Sequence, residues 1–113
     1  MPWDVVYTDH FETWLETCST SLQNETLAHI ELLAIMGVNL PFPYCSQIKG
    51  TRLTGMRELR FRYRKRDIRI LYIFDPSRRA VLLVGGDKTG DKQWYEKHIP
   101  LAENVFRDYS QSN

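Results

Sequence analysis

Residues 56–64 read MRELRFRYR, and apolar and basic side chains alternate along this stretch. Successive side chains of a β-strand point to opposite faces, so the alternation predicts a strand with two different sides. The apolar side is formed by Leu59, Phe61 and Tyr63. The basic side is formed by Arg60, Arg62 and Arg64. A core is expected on the first side, and solvent or a polyanion on the second.

Two largely apolar stretches follow closely in the chain. Residues 68–75 contain Arg69 as their one basic residue, and residues 80–85 read AVLLVG. Polar turns at 65–67 and 76–79 separate the three stretches. Consecutive strands joined by short turns pair antiparallel, so we predict a three-stranded meander.

Helical patterns flank this meander. Residues 2–7 predict a first strand, and capping boxes beginning at Asp9 and Thr20 predict two helices that form a hairpin. A last amphipathic helix is predicted with Pro100 in its first turn. The predicted order is β-α-α-β-β-β-α. This is an α+β fold in which an antiparallel sheet packs against helices on one face and leaves the other face free to bind a partner.

The length of 113 residues predicts a single domain over residues 1–113. Charge divides it unevenly: all fifteen Lys and Arg residues follow position 48, and eleven lie within residues 49–79. The first 48 residues carry six acidic side chains and no Lys or Arg. Such a basic segment favours a polyanionic partner. No apolar run approaches the ~20 residues that span a bilayer, so a cytoplasmic protein without a membrane partner is expected.

Three basic positions are candidates for chemistry. The Arg60 side of the strand could hold a nucleic-acid backbone, and its alternative role is a solvated surface. Arg69 interrupts an apolar strand, so it needs a partner; a buried ion pair with Glu58 is the alternative to a bound phosphate. Lys88 follows the last apolar strand within GGDKTG, which lacks P-loop spacing. It could be a general acid, a phosphate ligand or an ordinary loop residue.

Other chemistries find little support in the sequence. The histidines at 10, 29 and 98 are scattered, and the carboxylates show no paired arrangement typical of a metal site. No Ser/His/Asp or Cys/His nucleophile pattern is visible. RNA-cleaving chemistry would therefore use Lys, Arg, Tyr or a carboxylate.

Several short segments occur in an order typical of one known family. They are Ile48-Lys49-Gly50, MRELR at 56–60, RILY at 69–72, FDP at 74–76 and LLVGGDK at 82–88. Together they resemble the HigB-like branch of the RelE/ParE toxin superfamily, over roughly residues 45–109. The resemblance implies a compact toxin that a cognate antitoxin neutralises. It also implies ribosome-dependent cleavage of mRNA in the A site, with contacts to rRNA and mRNA and without a metal or other cofactor.

The resemblance also implies roles for individual residues. Lys49, Arg60, Arg69 and Lys88 match the family's basic positions and are the catalytic candidates. Arg60 and Arg69 would hold the scissile phosphate, and Lys88 or Lys49 would donate a proton or stabilise charge. Asp87 and Tyr95 are secondary candidates. RNA binding is assigned to Arg57, Arg62, Arg64, Lys65 and Arg66.

Two alternatives share the predicted fold. The first is a ParE-like protein that inhibits DNA gyrase without cutting anything, in which basic residues serve only for docking. Toxicity would then survive replacement of Lys88. The second is an inactive nucleic-acid-binding relic of phage or plasmid origin, which would cause no growth arrest.

Overall fold

The structure is a computed structural model that describes residues 2–112; residues 1 and 113 of the predicted domain lie outside the described part. Its elements in chain order are β1 (Asp4–Tyr7), α1 (Asp9–Thr17), α2 (Thr20–Met36), a 3-10 turn (Gly37–Asn39), β2 (Cys45–Gln47), β3 (Arg57–Tyr63), β4 (Arg66–Phe74), β5 (Arg79–Asp87) and α3 (Trp94–Ser112). Among the described residues, no helix is long and apolar enough to cross a membrane.

Both helices of the N-terminal hairpin begin at a capping hydroxyl. The Thr8 side chain accepts a hydrogen bond from the Phe11 amide at 3.3 Å, and the Ser19 side chain accepts one from the Leu22 amide at 3.1 Å. Each cap therefore lies one residue before the position that the capping boxes predicted. Thr8 also donates its hydroxyl proton to the Leu82 carbonyl at 2.7 Å, so the start of α1 is tied to β5.

The sheet has the order β1-β5-β4-β3-β2. The predicted meander is present, because β3 pairs antiparallel with β4 and β4 pairs antiparallel with β5. Two features were not predicted. β1 pairs parallel with β5, which makes the sheet mixed rather than antiparallel. The short β2 pairs with β3 at the opposite edge; its three residues are too few for a periodic pattern to reveal.

The helices cover both faces of the sheet, whereas the sequence predicted helices on one face only. α1 and α2 pack over the face that carries Leu59, Phe61, Ile70 and Leu82. α3 packs over the face that carries Leu71, Ile73, Val81 and Leu83. The reason is visible in β5: its run of consecutive apolar residues places apolar side chains on both sides, and each side needs a cover. α3 lies mainly on β5 and β4, which leaves the β3 part of that face open.

α3 begins at Trp94, so Pro100 lies inside the helix and not in its first turn as predicted. Trp94 is buried and packs against Gly86 of β5. A Cβ atom at Gly86 would stand 2.8 Å from the indole nitrogen of Trp94, so the missing side chain of Gly86 allows the helix to start this close to the sheet.

The β3–β4 connection is tighter than predicted. β3 ends at Tyr63, β4 starts at Arg66, and the two residues between them, Arg64 and Lys65, have φ values of 49° and 67°. This is a two-residue hairpin loop with both residues in the left-handed region. Arg64 therefore belongs to the turn and is not a third member of the strand's basic side.

Candidate nucleic-acid interface

The open part of the sheet carries three arginines. Arg60 lies opposite Arg69 and Arg62 lies opposite Asp67 in the pairing of β3 with β4. Strand alternation directs Arg60, Arg62 and Arg69 to the α3 side of the sheet, since Leu59, Phe61 and Ile70 face the α1–α2 side. Arg62 is largely exposed, with a 3.7 Å contact from its Nε to Asp67 Oδ1. The structure thus brings two catalytic candidates, Arg60 and Arg69, side by side.

Glu58 is the buried centre of this region. Its Oε1 accepts a hydrogen bond from the Tyr95 hydroxyl at 2.5 Å, and its Oε2 accepts one from the Ser46 hydroxyl at 2.5 Å. Arg69 Nε lies 3.5 Å from Glu58 Oε1, and each of the two side chains is only 8% exposed. The ion pair that the sequence suggested as the alternative role of Arg69 is therefore present. One carboxylate joins β2, β3, β4 and α3.

Tyr95 connects this centre to Lys88. Burial, followed by the hydrogen bond to Glu58, raises the pKa of Tyr95, so its phenol keeps its proton at neutral pH. Lys88 Nζ lies 5.9 Å from the centre of the Tyr95 ring. The Lys88 amide donates to the Asp67 carbonyl at 2.9 Å, which holds the backbone of Lys88 beside the start of β4. Lys88, Tyr95, Glu58 and Arg69 therefore form one continuous row of contacts.

Lys49 lies apart from that row. It is exposed and follows the end of β2, where the pairing with β3 places it level with Gly55. The Lys88 amide donates to the Asp67 carbonyl, and Asp67 is the β4 partner of Arg62, so Lys88 lies beside the Arg62 end of β3. The two lysines therefore lie near opposite ends of β3, whose seven residues span about 20 Å at about 3.3 Å per residue.

The residues assigned to RNA binding are divided between the faces. Arg57 and Arg66 lie on the α1–α2 side, because they share the strand alternation of Leu59 and Tyr63. Arg57 Nη2 contacts Cys45 Sγ at 3.7 Å, and Arg66 Nε donates to Asp87 Oδ2 at 2.6 Å. Arg64 and Lys65 stand exposed at the hairpin tip. Of the five, Arg62 alone shares the sheet face of Arg60 and Arg69.

Asp87 holds the loop that leads to Lys88. Its Oδ2 accepts the Arg66 bond and its Oδ1 accepts a bond from the Thr89 amide at 2.9 Å. Burial raises the pKa of Asp87, but the Thr89 hydrogen bonds and Arg66 outweigh burial and hold the pKa below its ordinary value of 3.8. Asp87 is therefore an ionised positioning residue, and its carboxylate is already engaged on both oxygens.

We expect Asp87→Asn to lower the free energy of unfolding by about 1–2 kcal/mol at pH 7, the scale of hydrogen bonds to a charged group. The folded-state pKa of Asp87 is depressed, so the stabilisation is present above pH 4 and is lost as the pH falls through the folded pKa. Urea unfolding of both proteins at pH 7 and near pH 3 measures this. A difference that stays constant between the two pH values would contradict the expectation.

Sequence reasoning missed the aromatic side of the site. The Arg60 guanidinium lies over the Phe42 ring, 4.9 Å from its centre, and Tyr44 precedes β2 nearby. Both aromatic side chains are exposed, at 69% and 44%. The signal was present in the sequence as PFPY at 41–44, an aromatic pair just before the basic segment. Ser46 gave no signal, because its role depends on a partner twelve residues away.

Comparison with known proteins shows the family to which this chain belongs. Residues 13–107 match the family described as Phage derived protein Gp49-like (DUF891), which is most of the chain. The chain belongs to this family. It is 35% identical over 100 residues to HigB3 of Mycobacterium tuberculosis, which is named as a candidate toxin, and the match covers 88% of this chain and 86% of HigB3.

A second relative and two solved structures extend the comparison. HigB2 of the same organism, also named as a candidate toxin, is 33% identical over 103 residues, which are 89% of this chain and 51% of HigB2; the chain thus spans about half of that relative. A chain of the RelBE2 toxin–antitoxin complex of M. tuberculosis aligns with a TM-score of 0.60 and 17% identity, covering 77% of this chain and 99% of that one. A mutant RelE toxin of E. coli in the free state aligns with a TM-score of 0.62 and 7% identity, covering 85% and 94%.

These matches confirm the predicted membership in the HigB-like branch and the RelE-type α+β fold. The protein belongs to the HigB-like toxin family, to which its relative of 35% identity gives the name. The structural likenesses carry the fold alone, because their sequence identities are low.

Proposed function

We propose that this toxin is an endoribonuclease that cuts mRNA in the ribosomal A site, in the cytoplasm and without a metal or other cofactor. The observation that carries the proposal is the row of contacts from Lys88 through Tyr95 and Glu58 to Arg69, with Arg60 beside it, which lies at the start of α3 and borders the part of the sheet that α3 leaves open. A phosphodiester backbone fits this arrangement because one guanidinium group can donate two parallel hydrogen bonds to the oxygens of a phosphate.

The chemistry follows from the groups in this row. The 2′-oxygen of the substrate forms a bond to phosphorus, and the bond from phosphorus to the 5′-oxygen breaks. Arg60 stabilises the extra negative charge, and the Lys88 ammonium donates a proton to the leaving 5′-oxygen. Arg69 is paired with Glu58, and its buried positive charge lies beside Arg60, where it also favours the phosphate. Tyr95 can take the 2′-hydroxyl proton only as its own proton moves to Glu58, because its raised pKa keeps the phenol protonated.

We expect Lys88→Ala to reduce translation-dependent cleavage at least about 100-fold, the lower end of what a general acid contributes. The assay adds purified protein to a cell-free translation reaction with a defined mRNA and maps new 5′ ends, and the same mRNA without ribosomes shows whether cutting needs translation. The control is Lys92→Ala, an exposed lysine of the same loop.

Two outcomes would contradict the proposal. Cleavage by Lys88→Ala at the wild-type rate would remove Lys88 from the mechanism. Intact mRNA with unimpaired translation would exclude the nuclease; a gyrase supercoiling assay would then test the ParE-like alternative, and a normal result in both assays would favour the inactive relic.

A cognate antitoxin is the second partner that we propose. The RelBE2 structure is a toxin–antitoxin complex with a related fold. The basic segment 49–79 offers an antitoxin a positively charged surface, and an acidic partner that covered it would also cover the proposed substrate site. Neutralisation by occlusion follows directly from the overlap of the two surfaces.

A further inference from the structure

The outer edge of β3 is open where the arginines begin. β2 pairs with β3 only as far as Leu59, and the Arg60 amide still donates to the Tyr44 carbonyl at 2.8 Å. Because backbone groups of a strand alternate in direction, the N–H and C=O of Arg62 point to the same side as those of Arg60. No described strand lies there to receive them. The chain before Tyr44 forms a turn, in which the Tyr44 amide donates to the Pro41 carbonyl at 3.0 Å.

An open groove of about 450 Å³ occupies this gap. The groove is lined by His29, Tyr44, Arg60, Phe61, Arg62 and Arg69, together with Pro43 and one carboxylate, Asp67, which is paired with Arg62. The groove has the size of a site for one small organic ligand. Arg60 Nε is buried beside it and has no hydrogen-bond partner among the described residues. A buried N–H without a partner costs free energy, so this donor favours a ligand that supplies an acceptor.

Aromatic surface flanks the groove. Tyr44 is part of its wall, and the exposed Phe42 ring holds the Arg60 guanidinium against one side. Exposed aromatic rings next to arginines are the typical means by which proteins bind unstacked bases of single-stranded nucleic acid. Another cavity, of about 590 Å³ between β1 and α3, has Asp9 and Asp108 among its described lining residues and no Lys or Arg. It does not suit a polyanion.

We propose that the groove at the β3 edge binds one unstacked nucleotide of single-stranded RNA. The base lies against Tyr44 and Phe42, Arg60 and Arg62 bind the flanking phosphates, and the free N–H and C=O of Arg62 meet the edge of the base. The groove would then select the nucleotide beside the cut. The selection of the nucleotide beside the cut rests on the proposed nuclease function, whereas the binding of RNA in the groove does not.

A peptide strand fits the edge less well. β3 ends at Tyr63, and Arg64 already belongs to the turn, so an added strand would find only the two backbone groups of Arg62 beyond the Tyr44 contact. Strand addition draws its affinity from a series of such bonds. The three arginines of the wall also favour a ligand with phosphate groups.

The first test measures binding without cleavage. Fluorescent RNA hexanucleotides with methylated 2′-hydroxyls cannot be cut, and their Kd values follow from anisotropy at several salt concentrations. We expect Phe42→Ala and Tyr44→Ala each to weaken binding about 5- to 100-fold, the range for loss of one base–aromatic stack. Ile35→Ala, an exposed apolar residue of α2, is the control and should leave Kd unchanged.

The salt dependence separates stacking from general damage to the surface. Tyr44→Ala should leave the slope of log K against log salt unchanged, because it removes no phosphate contact. Arg62→Ala should reduce the slope by about one unit. Equal Kd values for wild type, Phe42→Ala and Tyr44→Ala would overturn the proposal. The backbone NMR signals of Phe61 and Arg62 could also change in chemical shift when antitoxin is added but not when RNA is added. That result would overturn the proposal and would assign the edge of β3 to a protein strand.

The translation assay distinguishes failure of this inference from failure of the proposed function. We expect Tyr44→Ala to cut mRNA during translation more slowly than wild type and with a changed nucleotide preference next to the cut. Wild-type protein that binds the hexanucleotides through Tyr44 without cutting mRNA would support the groove and contradict the nuclease. The wild-type protein could instead cut mRNA while Phe42→Ala and Tyr44→Ala keep the wild-type nucleotide preference and RNA affinity. That result would contradict the proposed groove but not the nuclease function.

Discussion

We expect the replacement of Glu58 with alanine to lower the free energy of unfolding by about 3–5 kcal/mol. The change leaves the Arg69 guanidinium buried without its partner and removes the acceptor of both the Tyr95 and Ser46 hydroxyls. A buried charge without compensation is among the few causes of so large a loss. Since a domain of this size is stable by only about 5–15 kcal/mol, the variant should unfold at much lower urea concentrations.

Two variants control this measurement. Glu96→Ala removes an exposed carboxylate from α3, and its effect should stay within about 0.5 kcal/mol. The double variant Glu58→Leu with Arg69→Met removes both charges, so it should recover most of the lost stability, because apolar pairs often replace buried ion pairs without cost. A loss below about 1 kcal/mol in Glu58→Ala would show that Arg69 reaches solvent or another acceptor easily.

Replacing Trp94 with alanine is the second large effect, again about 3–5 kcal/mol. Trp94 is 2% exposed, stacks on His98 with ring centres 4.2 Å apart, and fills the space that Gly86 leaves at the sheet. Its loss opens a cavity under the first turn of α3. Because Tyr95 is the next residue, the hydrogen bond to Glu58 should loosen as well. Circular dichroism during urea unfolding follows the loss without relying on tryptophan fluorescence.

A double-mutant cycle tests the origin of that loss. Gly86→Ala alone should cost about 1–3 kcal/mol, because its methyl group meets the indole of Trp94. In the double variant the methyl group enters the space that the indole has left, so the two losses should not add. Gln93→Ala, an exposed neighbour, is the control for the helix start. Additive losses would show that Trp94 and Gly86 act independently.

Strand alternation explains which parts of the site could be predicted. The period of two in residues 56–63 places β3 and assigns Arg60 and Arg62 to one side, as the structure shows. The same period, applied to Arg57, would have assigned it to the other side with Leu59. The end of the strand was harder to predict, because Arg64 continues the alternating pattern but adopts a turn conformation.

The partners of the site residues could not be predicted in the same way. Glu58 was foreseen as an alternative partner of Arg69, but its bonds to Ser46 and Tyr95 join residues twelve and 37 positions distant. Lys49 and Lys88 looked equivalent as basic family positions, and the pairing of the strands separates them. Sequence patterns report the neighbours of a residue along its own element, and these contacts lie between elements.

The amino-acid sequence by itself determined four of the five strands, the helix hairpin, the concentration of positive charge in residues 49–79 and the family resemblance, because each of these depends on local periodicity, composition or residue order. The tertiary structure alone decided that α3 covers the second face, that Glu58 gathers Arg69, Tyr95 and Ser46, and that Phe42 and Tyr44 stand at the open edge of β3. The physical reason is the register of the strands. Hydrogen bonds between strands that are remote in sequence decide which side chains become neighbours across the sheet, and the sequence of one strand alone does not contain that information.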